Sequence, residues 1–245
     1  MAYFPIYVDL KDKKCVVVGG GKIALRKIEI LYQFGAKITI VAPYICDDIY
    51  KIEESSRLNQ KITTVVENSR LEDNIHLEDR ISLEEKDIHI NLVERKFIDM
   101  DISEAELVVA ATDDEKLNSH ISAICREKNL LVNVVDVKEE CSFIFPAIYK
   151  KGELVISIST GGSSPLMAAK IRENIDSVVP DYYSSLIEFL GDHRDYIKRE
   201  IHSQELRKKV YNEFIEIVEI DPGHMSLAMI NKVIDKYKIR QEGDY

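Results

Sequence analysis

The sequence predicts an α/β protein: a doubly wound parallel sheet, then a small β-containing unit, then a helical C-terminal domain. Three observations predict it. Apolar, β-branched runs alternate with segments of helical period from Lys14 to Asp136. A run of three glycines, Gly19 to Gly21, closes the first apolar run and opens the first helical segment. After Asp136 the pattern changes to two strand-like runs, and from Pro165 onward to segments that are almost entirely helical in spacing.

Taken in order, Lys14 to Val18 is the first strand, and Ile23, Ile28, Leu31 and Phe34 then recur at near-helical spacing. Gly35 suits the left-handed residue that ends a helix, and "KITIVAP" follows as a second strand stopped by Pro43. Residues 46–89 are charged, irregular and rich in acidic side chains, so they read as an insertion that is at most partly helical. Their length far exceeds the usual βα connection of about 2 to 6 residues. "IHINLVERKF" supplies a third strand, and "AELVVAATDD" a fourth, whose unbroken apolar run from Leu107 to Ala111 suits a strand covered on both faces. Asp113 or Asp114 can cap the next helix, which buries Leu117, Ile121 and Ile124 and stops near Asn129 before the fifth strand, "LLVNVVD". "CSFIFPAIYKKGELVISIST" reads as a hairpin turning at Lys150 to Gly152. The expected domains are therefore 1–136, with the insertion at 46–89, a short unit at 137–164, and helices over 165–245.

Composition narrows the function. The 245 residues are 45% hydrophobic, enough for a sizeable core. Asp and Glu number 43 against 33 Lys and Arg, a net charge of −10 that opposes sequence-independent binding to nucleic acid. No apolar run approaches the roughly 20 residues of a membrane span, and "MAYFPIYVDLKD" lacks the apolar core of a signal peptide. The four cysteines form no C-x-x-C pair and the six histidines no metal-ligand spacing, so a reduced cytoplasmic protein without a standing metal site is expected.

Gly19, Gly21 and Ala24 match G-x-G-x-x-G/A directly after a strand and opening a helix, which makes the sheet Rossmann-like and the turn a site for a dinucleotide. Without Cβ atoms the backbone lets a pyrophosphate approach the helix N-terminus, where free N–H groups and the macrodipole favour negative charge; Lys22 and Arg26 reinforce that end. The same glycines can also serve only as a tight turn. The second strand ends in Val41, Ala42 and Pro43, without the acid that usually holds the ribose. Asp47 and Asp48 come late and no arginine stands beside Pro43, so charge does not choose between NAD and NADP; backbone contacts from Pro43 and Tyr44 remain.

Asp136 ends an apolar strand at the edge where doubly wound sheets bind ligands, and a carboxylate there can act as acid or base or simply close a turn. "STGGSSP", Ser159 to Pro165, combines hydroxyls, two glycines and a proline at the first turn of a helix with Ser164 as N-cap. It fits an anion cradle and equally an ordinary capped loop.

The stretches "FPIYVDLKDKKCVVVGGGKIALRKIEIL", "GAKITIVAP", "LVVAATDDEKLN", "VNVVDVKEECSFIFPAI" and "ISISTGGSSPLMAAKIRE" cover most of Phe4 to Glu173, and in that order they resemble the precorrin-2 dehydrogenase family, which includes the amino-terminal half of siroheme synthases. The acid-free "VAP" strand end is usual in that family. The resemblance implies NAD-dependent oxidation of precorrin-2 to sirohydrochlorin, with insertion of Fe²⁺ or Co²⁺ into the product in some members. It implies Asp136 as the catalytic residue, cofactor contacts at Gly19, Gly21, Lys22, Ile23, Pro43, Tyr44, Thr112 and Asp113, and substrate contacts at Ser142, Thr160, Gly161, Gly162 and Ser163. It also implies a homodimer built around the segment after Asp136. Thr160 stands where some synthases carry a phosphorylatable serine. The chain departs from the pattern in its acidic insertion and in ending without a methyltransferase domain, so methylation is expected on another polypeptide. A competing expectation is a regulatory module that senses nucleotides through the same fold without catalysis, which would leave Asp136 and "STGGSSP" without a role.

Overall fold

The computed structural model describes residues 3–57 and 89–242. The chain forms two compact units, Met1–Phe145 and Pro146–Tyr245. In the first, strands β1 (Lys14–Val18), β2 (Lys37–Val41), β3 (Ile90–Val93), β4 (Leu107–Ala110) and β5 (Leu131–Val134) lie in the order β3-β2-β1-β4-β5. Every neighbouring pair is parallel. The connections run outward from β1 to one edge, then return to its other side, so the order reverses between β1 and β4.

Alternation along the strands sends successive side chains to opposite faces. Cys15 and Val17 join Ile38 and Ile40 under helix α1 (Lys22–Gln33), whose Ala24, Ile28 and Leu31 complete that core. Val16 and Val18 join Val108, Ala110 and Val132 under helix α3 (Glu115–Glu127), through Ile121 and Cys125. β4 is buried at all of its positions, which is why its sequence does not alternate.

The helix ends follow the local chemistry. Ala36 N–H donates to Leu31 O and Gly35 N–H to Tyr32 O, with Gly35 at φ 76°, a Schellman closure of α1. Asn129, at φ 55°, closes α3 in the same way. Of the two aspartates able to cap α3 it is Asp114 that does so, accepting from Lys116 N–H and Leu117 N–H. The insertion begins with a helix, α2, described over 47–57; residues 58–88, most of its acidic stretch, lie outside the described residues.

Residues after Asp136 fold back onto β5, where Ser142 N–H donates to Val132 O and Cys141 Sγ bonds both Val134 N–H and Val134 O. The first unit therefore extends to Phe145.

The second unit starts with the antiparallel hairpin β6 (Ala147–Lys151) and β7 (Leu154–Ile158). Lys150 and Lys151 pair with Val155 and Leu154, so the turn falls at Gly152 and Glu153, one step later than the lysines suggest. Helices α4 (Pro165–Val178), α5 (Tyr182–Asp192), α6 (Arg194–Glu200), α7 (Gln204–Ile220) and α8 (Leu227–Glu242) follow. Leu186, Ile197, Val210, Phe214, Ile230 and Ile234 form their core. Among the described residues, no helix is long and apolar enough to cross a membrane.

Candidate functional site

The carboxyl edge of the parallel sheet gathers the candidates of the first unit. At the β1–α1 turn Gly19 takes φ 122°, and a Cβ there would lie 2.3 Å from Ala111 O. A Cβ on Gly20 would lie 2.1 Å from Tyr44 O, and Gly20 O accepts from Cys46 N–H at 2.9 Å. These two glycines are thus consumed by packing between the ends of β4 and β2. Gly21 differs, because a Cβ there would meet nothing within 4 Å. It is the N-cap of α1 and offers no side-chain acceptor, and no acidic residue stands in the first turn. The first turn of α1 accordingly has no side-chain cap for its N–H groups and starts at the exposed Lys22 and Ile23, a condition that suits a phosphate. Pro43 and Tyr44, both exposed, follow β2 on the side where a ribose would lie.

At the end of β4, Thr112 is held by the buried Asn118 of α3. Thr112 Oγ1 donates to Asn118 Oδ1 at 2.7 Å, and Asn118 Nδ2 donates to Thr112 O at 3.0 Å. Asp113 beside it is exposed.

Asp136 follows β5 with φ 63°, a left-handed conformation in a non-glycine residue, and is exposed. It sits two strands from the glycine turn, across β4, a separation of roughly 10 Å at the usual strand spacing. Ser142 lies in the same unit, but its Oγ already accepts from Val132 N–H at 2.8 Å.

Asn118 was not foreseen, nor were two further residues. Asn133, buried within β5, donates to Phe143 O at 3.1 Å and fixes the strand that carries Asp136. Lys27 of α1 is half-buried, with Nζ 4.3 Å from the centre of the Phe145 ring. Burial holds its ammonium below the usual lysine range, while the charges of Asp136 and then Cys141 act in the opposite sense. The available signal was its place beside the apolar stripe Ala24, Ile28 and Leu31.

In the second unit, the Ser159–Pro165 loop is shaped by its own hydroxyls. Ser159 Oγ accepts from Gly161 N–H, Thr160 Oγ1 from Ser164 N–H at 3.0 Å, and Ser164 Oγ from Met167 N–H at the start of α4. Gly161 and Gly162 both take positive φ, and Gly162 and Ser163 are exposed. Lys170 pairs with Glu173 at 3.6 Å. Among the described residues no three His, Cys, Asp or Glu side chains group as a metal site.

A parallel sheet with its order reversing at β1, a glycine turn packed at that point and an uncapped helix N-terminus define a nucleotide-binding domain of the Rossmann class. The model of the family described as putative NAD(P)-binding matches residues 6–147, and the chain belongs to that family. A second family model, described as sirohaem biosynthesis protein central, matches residues 151–177. The siroheme synthase of Thioalkalivibrio sulfidiphilus is 34% identical over 216 residues, which cover 88% of this chain and 38% of that protein. The siroheme synthase of Pseudoalteromonas atlantica is 31% identical over 88% of this chain and 40% of its own length. The chain thus spans about two fifths of these curated relatives. Among solved structures, that of SirC, precorrin-2 dehydrogenase, aligns with a TM-score of 0.64 at 24% identity, covering 96% of this chain and 99% of that one, and it shares the fold.

Proposed function

We propose that this chain oxidises precorrin-2 to sirohydrochlorin with NAD⁺, as a homodimer. The observation that carries the reading is the exposed Asp136, held at the carboxyl end of β5 on the side of the glycine turn away from β2. The names of the siroheme synthases and of SirC, precorrin-2 dehydrogenase, supply the substrate class.

The uncapped N–H groups at the start of α1 hold the pyrophosphate, and the backbone after β2 borders the ribose. The far half of a dinucleotide laid across this edge reaches β4 and β5, where Thr112 and Asp136 stand. When bound, NAD⁺ supplies a hydride acceptor. Loss of two hydrogens from the reduced tetrapyrrole also releases a proton, and Asp136 accepts it. The same carboxylate can take a pyrrole proton displaced when Fe²⁺ or Co²⁺ enters the product. The exposed apolar side chains Leu166, Met167 and Val178 of α4 supply the surface for pairing two copies.

The test is anaerobic incubation of the purified chain with precorrin-2 and NAD⁺, following NADH formation together with the tetrapyrrole spectrum, then repeated with Co²⁺ added. Turnover separates an enzyme from a nucleotide-sensing module. Folded protein that binds NAD⁺ without turnover removes the dehydrogenase reading.

A further inference from the structure

Lys27 is a cation placed where the phosphate-binding turn does not need it. It lies more than a helical turn beyond Gly21, and its ammonium rests on the face of Phe145, whose ring packs against Phe143 at 5.1 Å between centres. Both rings belong to the edge of the core beneath α1. Among the described residues Lys27 forms no ion pair, so the group in direct contact with this half-buried charge is a ring quadrupole. The charged and titratable groups that act on it are Asp136 from the end of β5, Cys141 from the segment behind it, and Arg26 on its own helix. Burial works against its charge, so a full anionic partner gains more from it here than from a solvated lysine.

We propose that Lys27 is a substrate-anchoring residue of the dehydrogenase reaction, gripping one carboxylate of the tetrapyrrole beside Asp136 through the cation seated on Phe145. The inference rests on the dehydrogenase reading and adds to it the group that orients the ring system over the base. Phe145 fixes the ammonium laterally, leaving its N–H donors for an incoming carboxylate. Removal of the charge then weakens tetrapyrrole binding while the cofactor turn is untouched.

The experiment compares the full chain with Lys27→Met and Lys27→Arg, measuring sirohydrochlorin affinity by fluorescence, NAD⁺ affinity by calorimetry, and KM and kcat with precorrin-2. Lys27→Met is expected to weaken sirohydrochlorin binding and raise KM about tenfold, with NAD⁺ affinity retained and the change falling on KM rather than kcat. Lys27→Arg restores most of the loss. Wild-type affinity in Lys27→Met overturns the anchor. So does an unchanged KM with a fall in kcat and a displaced acid limb of its pH profile, because the cation would then serve Asp136 instead. If Lys27→Met fails to fold, Lys27→Gln is held to the same criterion. An unmodified chain that neither binds sirohydrochlorin nor turns over precorrin-2 removes the dehydrogenase reading and this inference with it. An active wild type with an unaffected Lys27→Met removes the anchor alone.

Discussion

The side chain of Asn118 clasps Thr112 from both ends of its amide, Oδ1 accepting from the hydroxyl at 2.7 Å while Nδ2 donates to the carbonyl at 3.0 Å. This clasp ties the first turns of α3 to the end of β4. Asn118→Ala leaves the partly buried Thr112 groups without these partners, a cost of about 1–3 kcal/mol. The expected outcome is a lower denaturation midpoint and weaker NAD⁺ binding, read by urea titration and calorimetry on the same sample.

The three glycines divide into two kinds. Gly20→Ala puts a methyl group against Tyr44 O and is expected to destabilise the first unit, with loss of cofactor binding as a secondary effect. Gly21→Ala meets only open space, so it is expected to unfold like the wild type and yet bind NAD⁺ more weakly, because its methyl group enters the volume the phosphates need. Equal NAD⁺ affinity in Gly21→Ala and wild type would place the phosphates elsewhere.

Asp136→Asn keeps the shape of the side chain, and asparagine tolerates the left-handed backbone at φ 63°. Turnover of precorrin-2 is expected to fall about 10²–10⁴-fold, the range usual for removal of a general base, with NAD⁺ affinity retained and the unfolding temperature not lowered. Full activity in this variant would end the base assignment.

Thiol reactivity provides an independent check on the core. Burial pushes the Cys15 thiol up to about 12, with the charge of Glu106 adding to it, and Cys125 up to about 11. Burial likewise raises Cys141. Cys46 is only half-buried. Alkylation of the native chain at pH 8 is expected to modify Cys46 first and the others only after denaturant is added, as peptide mapping would report.

Arg95 makes a two-pronged pair with Asp101 at 2.8 and 2.6 Å, and Ile98 N–H also donates to this carboxylate. The Arg95 hydrogen bond, and after it that backbone bond, hold Asp101 below its ordinary value of 3.8, against the effect of burial. A carboxyl lowered on folding contributes stability above its unfolded value, and that contribution is lost as pH falls through the lower, folded one. Asp101→Asn is therefore expected to lower the unfolding temperature at pH 7, with the gap to wild type closing below about pH 4. A gap independent of pH would contradict this assignment.

Much of the fold was legible because its signals are local. The five strands are short runs rich in apolar and β-branched residues and bounded by turn residues, and Gly35 and Asn129 mark helix ends by a backbone conformation that few residues accept. The long helical stretch after Pro180 was harder, since one period runs through it while the chain breaks at His193 and again before Ser203, which caps α7. The hairpin turn came one step late because its position depends on cross-strand register. In the site, the glycine turn and Asp136 could be located from the sequence by their places at strand ends. Asn118, Asn133 and Lys27 could not, because each owes its place to a partner from another element: Thr112, Phe143 and Phe145. On the sequence alone a lysine flanking an apolar stripe reads as solvated surface.

The backbone at Asp136 asks for glycine. An L-residue other than Gly, Asn or Asp is disfavoured at φ 63°, and even aspartate holds that conformation at a cost on the order of 1 kcal/mol. Selection for heat resistance alone would thus be drawn toward Gly or Asn at 136, the substitutions that remove the carboxylate. Any programme that ranks variants of this protein by stability must therefore hold that position fixed until the turnover of Asp136→Asn has been measured.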